Sequence, residues 1–158
     1  MKKSVEIPDC HYPTEPILVP PSSPTPNQRL YLSNLDEQRF LRFSIKYLYV
    51  FRQAVPIDRL RASLSDLLVH YYPLAGRLCP STGNGTGTDR LEVDCNGQGA
   101  VMVEAFAGMG ADELAESWSR PNKSWRKLLY RVDASTIPLV VQDRQMEFGD
   151  KNAVEPHA

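Results

Sequence analysis

The sequence predicts an α/β domain. Three observations carry that reading. Ile57, Leu60, Leu64, Leu67, Leu68 and Tyr71 recur at steps of three and four, the spacing of one helical face. Short β-branched and aromatic runs lie before and after that helix. Strand and helix signals alternate along the chain, with no internal repeat. The 158 residues suit one domain, and 42% hydrophobic residues suffice for a packed core.

Val5 to Ile7 and Ile17 to Val19 are short extended segments. Pro20 to Pro26, PPSSPTP, is too proline-rich for a helix or a central strand and reads as a stiff connecting loop. Leu30 to Leu35 is a short strand or a turn, ending at Asp36. Phe43 to Phe51, FSIKYLYVF, has strand length and composition. Phe43, Ile45, Tyr47, Tyr49 and Phe51 alternate onto one face. Both faces are largely apolar, so this strand is expected inside a covered sheet.

The main helix is expected from Ile57 to Tyr71. Asp58 sits in its first turn, where a negative charge suits the helix dipole. Pro73 lacks an amide proton and disfavours helix at Tyr72, which sets the end. Gly76 permits a tight turn before Arg77. Each large apolar side chain buried on this face stabilises by about 1.5–3 kcal/mol, so the helix anchors the core.

Ser81 to Thr88, STGNGTGT, reads as a surface loop. Its glycines do not make a phosphate cradle, because a strand follows where a helix is needed and no P-loop lysine is present. Leu91 to Cys95 has the alternation of a half-buried strand. Asn96 to Gly99 reads as a hairpin turn that returns Ala100 to Phe106 as its partner strand. Ala111 to Ser117 is a short helix, and Ser124 to Leu128 another brief turn beyond Pro121. Leu128 to Val132 and Leu139 to Gln142 read as strands. From Asp143 to Ala158 the chain turns charged and loses apolar residues, so residues 1–142 form the domain and 143–158 a disordered tail.

The net charge of −1 gives no basic excess for nucleic acid or anionic membrane. Three scattered cysteines, Cys10, Cys79 and Cys95, make neither a disulfide framework nor a zinc site and imply a reducing, cytoplasmic setting. MKKSVEIPDCHYP has no apolar run of a secretory signal. No stretch approaches the roughly 20 apolar residues of a membrane helix. The glycosylation patterns at Asn84 and Asn122 are accordingly expected to be unused.

Four collinear blocks resemble the BAHD family of plant acyltransferases, which use acyl-CoA donors. Tyr71 to Leu78 reads YYPLAGRL; Pro24-Thr25-Pro26 leads to Leu32-Ser33-Asn34-Leu35-Asp36; Leu91 to Ala105 reads LEVDCNGQGAVMVEA; Pro138 to Gln142 reads PLVVQ. The resemblance covers about residues 5–142, the front part of a full-length member. It implies an incomplete chloramphenicol-acetyltransferase-like domain, a mixed β-sheet with flanking helices. It also implies transfer of an acyl group, hydroxycinnamoyl among the candidates, from CoA to an alcohol or amine. Acyl-CoA enters as a co-substrate, with no cofactor and no metal site.

The resemblance places the family's general base, the histidine of an HxxxD motif, on an apolar strand soon after PLVVQ. Imidazole suits that task because its pKa lies near neutrality. Here the sequence turns to the charged segment at Asp143 instead, and neither HxxxD nor DFGWG occurs. His157 lies near the expected distance, but only Ala158 follows it and no strand aims it. His11 adjoins Cys10 on an extended segment, so the two side chains point to opposite faces and make a poor nucleophile pair. His70 lies on the polar side of the helix. No catalytic residue is therefore assigned. By position in the family pattern, Asp36, Phe43 and Tyr47 border the acceptor pocket; Phe43 and Tyr47 equally fit a core face, and Asp36 a turn cap.

Two functional readings follow. In the first, the chain is an acyltransferase-class segment that is inactive alone. In the second, it is a non-catalytic truncated product that binds a partner, or a gene model with no stable protein. A sheet missing a strand exposes an edge, which invites self-association.

Overall fold

A computed structural model describes residues 6–36, 38, 40, 42–51, 53–81, 90–117, 123–131 and 136–146. Among the described residues, six strands and two α-helices follow in the order β1 (Ile17–Val19), β2 (Arg29–Tyr31), α1 (Ile57–His70), β3 (Arg77–Pro80), β4 (Leu91–Asp94), β5 (Ala100–Ala107), α2 (Ala111–Ser117) and β6 (Val140–Met146). Short 3₁₀ turns cover Tyr72–Ala75 and Lys123–Leu128. The strands form two three-stranded sheets, ordered β1-β5-β6 and β2-β4-β3.

β5 is the central strand of the first sheet. It pairs antiparallel with β1 and parallel with β6, and the parallel register runs from Val101 opposite Val140 to Ala107 opposite Met146. Its apolar run AVMVEAFA barely alternates, as expected of a strand covered on both faces. Every pair in the second sheet is antiparallel, with Arg29 and Arg77 both opposite Asp94.

Helix α1 runs almost as the spacing predicts. Pro56 caps it in an extended conformation, and Asp58 lies in its first turn. The Tyr71 amide still donates to the Leu67 carbonyl at 3.0 Å, after which Pro73 tightens the chain into the 3₁₀ turn. Leu64 and Leu68 are buried against Val19, Ala75, Ala100 and Met102, with Ile57, Leu60, Leu74, Leu139 and Val141 packed around them. The predicted face is too wide: Leu67 stays 44% exposed and Tyr71 58%. Leu67 lies in the last turn of α1, only about 20° round the helix from Leu60, which packs against the core. A second cluster joins Ile7, Met109, Leu114 and Leu128, with Cys10, Trp125 and Met146 packed against it.

Four expectations need correcting. The turn Asn96–Gly99 does not close a hairpin, because β4 and β5 belong to different sheets. Gly97 and Gly99 do take the positive φ that the pattern requires, 66° and 103°. That geometry carries the chain between sheets. The Gly99 amide donates to the Ala75 carbonyl at 2.9 Å. Arg77 Nη1 donates to the carbonyls of Gly76 and Gly99 at 2.6 and 2.8 Å.

Phe43–Phe51 is not a paired strand. No described residue offers it a ladder, and Phe43, Ile45, Tyr47, Tyr49 and Phe51 face outward rather than into a covered sheet. Residues 129–131 form no strand either. The Gln142 side chain takes up that backbone, accepting from the Tyr130 amide at 2.7 Å and donating to the Leu128 carbonyl at 3.0 Å. Finally, the strand after PLVVQ does not stop at Gln142. Asp143 to Met146 continue β6, half-buried, because β5 supplies a parallel ladder that outweighs their polar composition.

The remaining short elements match their signals. β1 occupies the predicted Ile17–Val19, and Leu30–Leu35 resolves into the end of β2 followed by a turn at residues 34–36. α2 covers the predicted Ala111–Ser117. Val5, residues 82–89 of the glycine-rich loop, Val132 and the tail from Glu147, including His157, lie outside the described residues.

Candidate functional site

The parallel pair β5–β6 ends at Ala107 and Met146, and a cleft opens there. In α/β sheets the crevice beyond the carboxyl ends of parallel strands is the usual place for ligands. The cleft has a volume of about 430 Å³ and is lined by Asp9, His11, Phe106, Ala107, Gly108, Gln145 and Met146. Its near wall is held by a β-bridge. The His11 amide donates to the Phe106 carbonyl at 2.9 Å, and the Phe106 amide donates back to the His11 carbonyl at 2.8 Å.

This bridge fixes the faces of the N-terminal segment. Cys10 packs into the second core cluster while His11 borders the cleft, so neighbours point apart as the extended spacing predicts. Gly108 leaves room at the strand end: a Cβ there would meet nothing within 4 Å.

The sheet face leading to the cleft changes character along its length. Met102 and Val141 sit opposite one another under helix α1. Two residues on, Glu104 is opposite Asp143, and two further on Phe106 is opposite Gln145. Gln145 Nε2 donates to Glu104 Oε1 at 3.4 Å. Burial, and secondarily the Glu104 carboxylate, push the Asp143 carboxyl above the usual aspartate range. Asp143 Oδ2 is buried without a hydrogen-bond partner. The strip therefore holds two carboxylates at close quarters, one of which is held above the usual aspartate range. Such a group can exchange a proton, but it is a poor base for an alcohol while neutral.

A second cavity of about 430 Å³ lies between the proline-rich loop and the β4–β5 crossing, lined by Pro20 to Thr25, Asn27 and Cys95 to Gly97. Among the described residues its one ionisable lining group is the Cys95 thiol, which burial and then the nearby Asp94 push up. A thiol held protonated is a weak nucleophile. Among the described residues no group of three His, Cys, Asp or Glu side chains is placed to hold a metal ion. No described helix is long and apolar enough to cross a membrane.

The residues picked out by sequence position are placed elsewhere. Asp36 closes a turn: Ser33 Oγ donates to its carboxylate at 2.7 Å, and its amide donates to Ser33 Oγ at 3.4 Å. Phe43 and Tyr47 share one side of an extended segment, 63% and 72% exposed. None of the three lines either cavity. His70 is exposed on α1, as its polar flank predicts. Sequence reading weighs His11 only as a partner of Cys10 and passes over Phe106 and Gln145, because segments far apart in the chain bring the three together. The signals available were small: one carboxylate, Glu104, inside an apolar strand, and Gln145 in a segment that read as tail.

Comparison with known proteins gives this arrangement its context. Residues 14–149 match the model of the Transferase family. The petunia benzyl alcohol O-benzoyltransferase is 36% identical over 128 residues, 77% of this chain and 26% of that relative. Rice acyl transferase 1 is 37% identical over 140 residues, 81% of this chain and 28% of that relative. The Arabidopsis fatty alcohol:caffeoyl-CoA acyltransferase is 35% identical over 147 residues, 85% and 33% respectively. The chain thus spans about a quarter to a third of the length of these relatives. In structure it resembles vinorine synthase with a TM-score of 0.51 and 23% identity, over 87% of this chain and 35% of that one. That likeness shows a shared chloramphenicol-acetyltransferase-like α/β fold. With 136 consecutive residues, 14 to 149, matched to the family model, the chain belongs to the BAHD acyltransferases of plants.

Proposed function

We propose that these residues form the front segment of an acyl-CoA-dependent alcohol acyltransferase, and that the 158-residue chain has no turnover alone. The observation that carries the first part is what its relatives are. Their names specify benzyl alcohol, (Z)-3-hexen-1-ol and fatty alcohols as acceptors, and one specifies caffeoyl-CoA, a hydroxycinnamoyl thioester, as donor.

The chemistry decides the second part. In acyl transfer the alcohol oxygen attacks the thioester carbonyl, a C–O bond forms, the C–S bond breaks, and the alcohol proton ends on the departing thiolate. A base must stand within hydrogen-bond reach of that proton, and its own orientation must be fixed. Among the described residues His11 is the one imidazole bordering the cleft, and its backbone is fixed by Phe106. Among the described residues, however, no hydrogen bond aims its ring. Asp143, whose carboxyl burial and then Glu104 push up, is not among the residues that line the cleft. The described residues therefore supply a wall of the cleft and its polar strip, while the base comes from sequence beyond them.

A chimera tests this reading. Residues 14–149 of this chain replace the matching segment of the petunia benzoyltransferase, and ester formation from benzoyl-CoA and benzyl alcohol is followed by mass spectrometry. Retained transfer is expected. A folded chimera that binds both substrates and forms no ester would overturn the proposal.

A further inference from the structure

Glu104 and Asp143 are register partners in the parallel ladder of β5 and β6, so their side chains stand on one face of the sheet. Neighbouring strands lie about 4.7–4.9 Å apart, which brings the two carboxyls within reach of one proton. Asp143 accepts a hydrogen bond from the Arg144 backbone, but its Oδ2 is buried with no partner. Gln145 Nε2 donates to Glu104 Oε1 at a long 3.4 Å.

Among the described residues, Glu104 is the one charged side chain that bears on Asp143. Arg144, the next residue along β6, points to the opposite face. Helix α1 covers this face over Met102 and Val141 with the apolar Leu64 and Leu68. Asp9 and His11 border the cleft beyond Gln145. Two carboxyls placed this way do not ionise independently: the first to lose its proton holds the other's in place.

We propose that Glu104 and Asp143 share one proton across the ladder, and that this proton latches residues 143–146 to β5. One carboxyl donates its O–H to the other, a charge-assisted bond about twice as strong as a neutral one, and the buried Oδ2 gains its partner. As pH rises the shared proton passes to water, and two negative charges face each other across the ladder.

The ladder then yields at its weakest part. β6 is an edge strand, paired with β5 alone among the described residues. Gln142 is clamped by the Tyr130 amide and the Leu128 carbonyl, so the ladder before it holds. Beyond it, Arg144 Nε and Nη1 are also buried without partners, and release lets them reach water. Gln145 and Met146 line the cleft, so its wall opens with the ladder.

Residue-resolved hydrogen exchange on the full 158-residue chain tests the proposal. Rates are divided by their intrinsic values at about pH 4, near the unperturbed aspartate value, and at about pH 8. Protection of the ladder amides within residues 104–107 and 143–146 should fall about tenfold or more at the higher pH, while that of α1 holds. Asp143→Asn and Glu104→Gln each leave one carboxylate facing an amide donor, so either variant should keep the ladder protected at both pH values. No fall, a fall shared equally by α1, or a fall that persists in both variants would overturn the proposal.

Discussion

Gly99 joins the two sheets, and replacing it with alanine tests how the chain passes between them. Gly99 has φ 103°, and a Cβ there would lie 2.5 Å from the Val19 carbonyl oxygen, 2.6 Å from its carbon and 2.8 Å from the Pro20 nitrogen. All three are backbone atoms in the β1 connection, so no side chain can rotate aside. The φ strain costs about 1–3 kcal/mol for a residue with a Cβ. Forcing β1 away from the crossing costs about 1–3 kcal/mol more, the range for overpacking. Together they remove about 2–6 kcal/mol, against a total of about 5–15 kcal/mol for a domain of this kind. With a urea slope of about 2 kcal/mol/M, the unfolding midpoint should fall by about 1–3 M. Gly108→Ala is the matched control, since nothing lies within 4 Å of its Cβ position and its φ is not positive. Its midpoint should move by no more than the equivalent of about 0.5 kcal/mol. Equal midpoints for the two variants would refute the crossing as described.

Leu68→Ala should destabilise by about 2–5 kcal/mol, because Leu68 is fully buried beneath α1; Leu67→Ala, at a half-exposed position, should cost far less. Equal losses in chemical denaturation would mean that α1 buries a wider face. Gln142→Leu strands the Tyr130 amide and the Leu128 carbonyl, at about 1–3 kcal/mol for each group left unpaired. Faster hydrogen exchange at the Tyr130 amide should report it, and unchanged exchange would contradict the bridge. Asp143 gives a pH signature. Its folded pKa is raised, so the folded state holds the proton more tightly than the unfolded state. Stability is therefore greatest below the unfolded aspartate pKa and declines as pH rises through the raised folded value. Asp143→Asn should flatten that decline and raise the urea midpoint at pH 7; a steeper decline would reverse the assigned sign.

Local signals decided what could be read from the sequence. The helix was legible because Leu60, Leu64 and Leu68 repeat at helical spacing and Pro73 ends the run. The two glycines after Asn96 were legible as positive-φ positions, but which strands they connect was not. The same Asn-Gly chemistry serves a hairpin and a crossing between sheets, and only the backbone approach of Gly76 and Gly99 to distant strands separates them. β6 was misjudged because Asp143, Arg144 and Gln145 look solvated, while the ladder that holds them comes from β5. Phe43–Phe51 kept its strand period and lacked a partner, which periodicity cannot foresee. The cleft was least legible, since His11 meets Phe106 only through long-range pairing.

The most direct measurement is ester formation by the purified 158-residue chain, with benzoyl-CoA or caffeoyl-CoA and a panel of alcohols at neutral pH. A cleft whose bordering imidazole has no partner among the described residues to aim it should give product at the uncatalysed rate, unchanged by His11→Ala. Turnover well above that rate and abolished by His11→Ala would show that the described residues already contain a working base, and the account would fail.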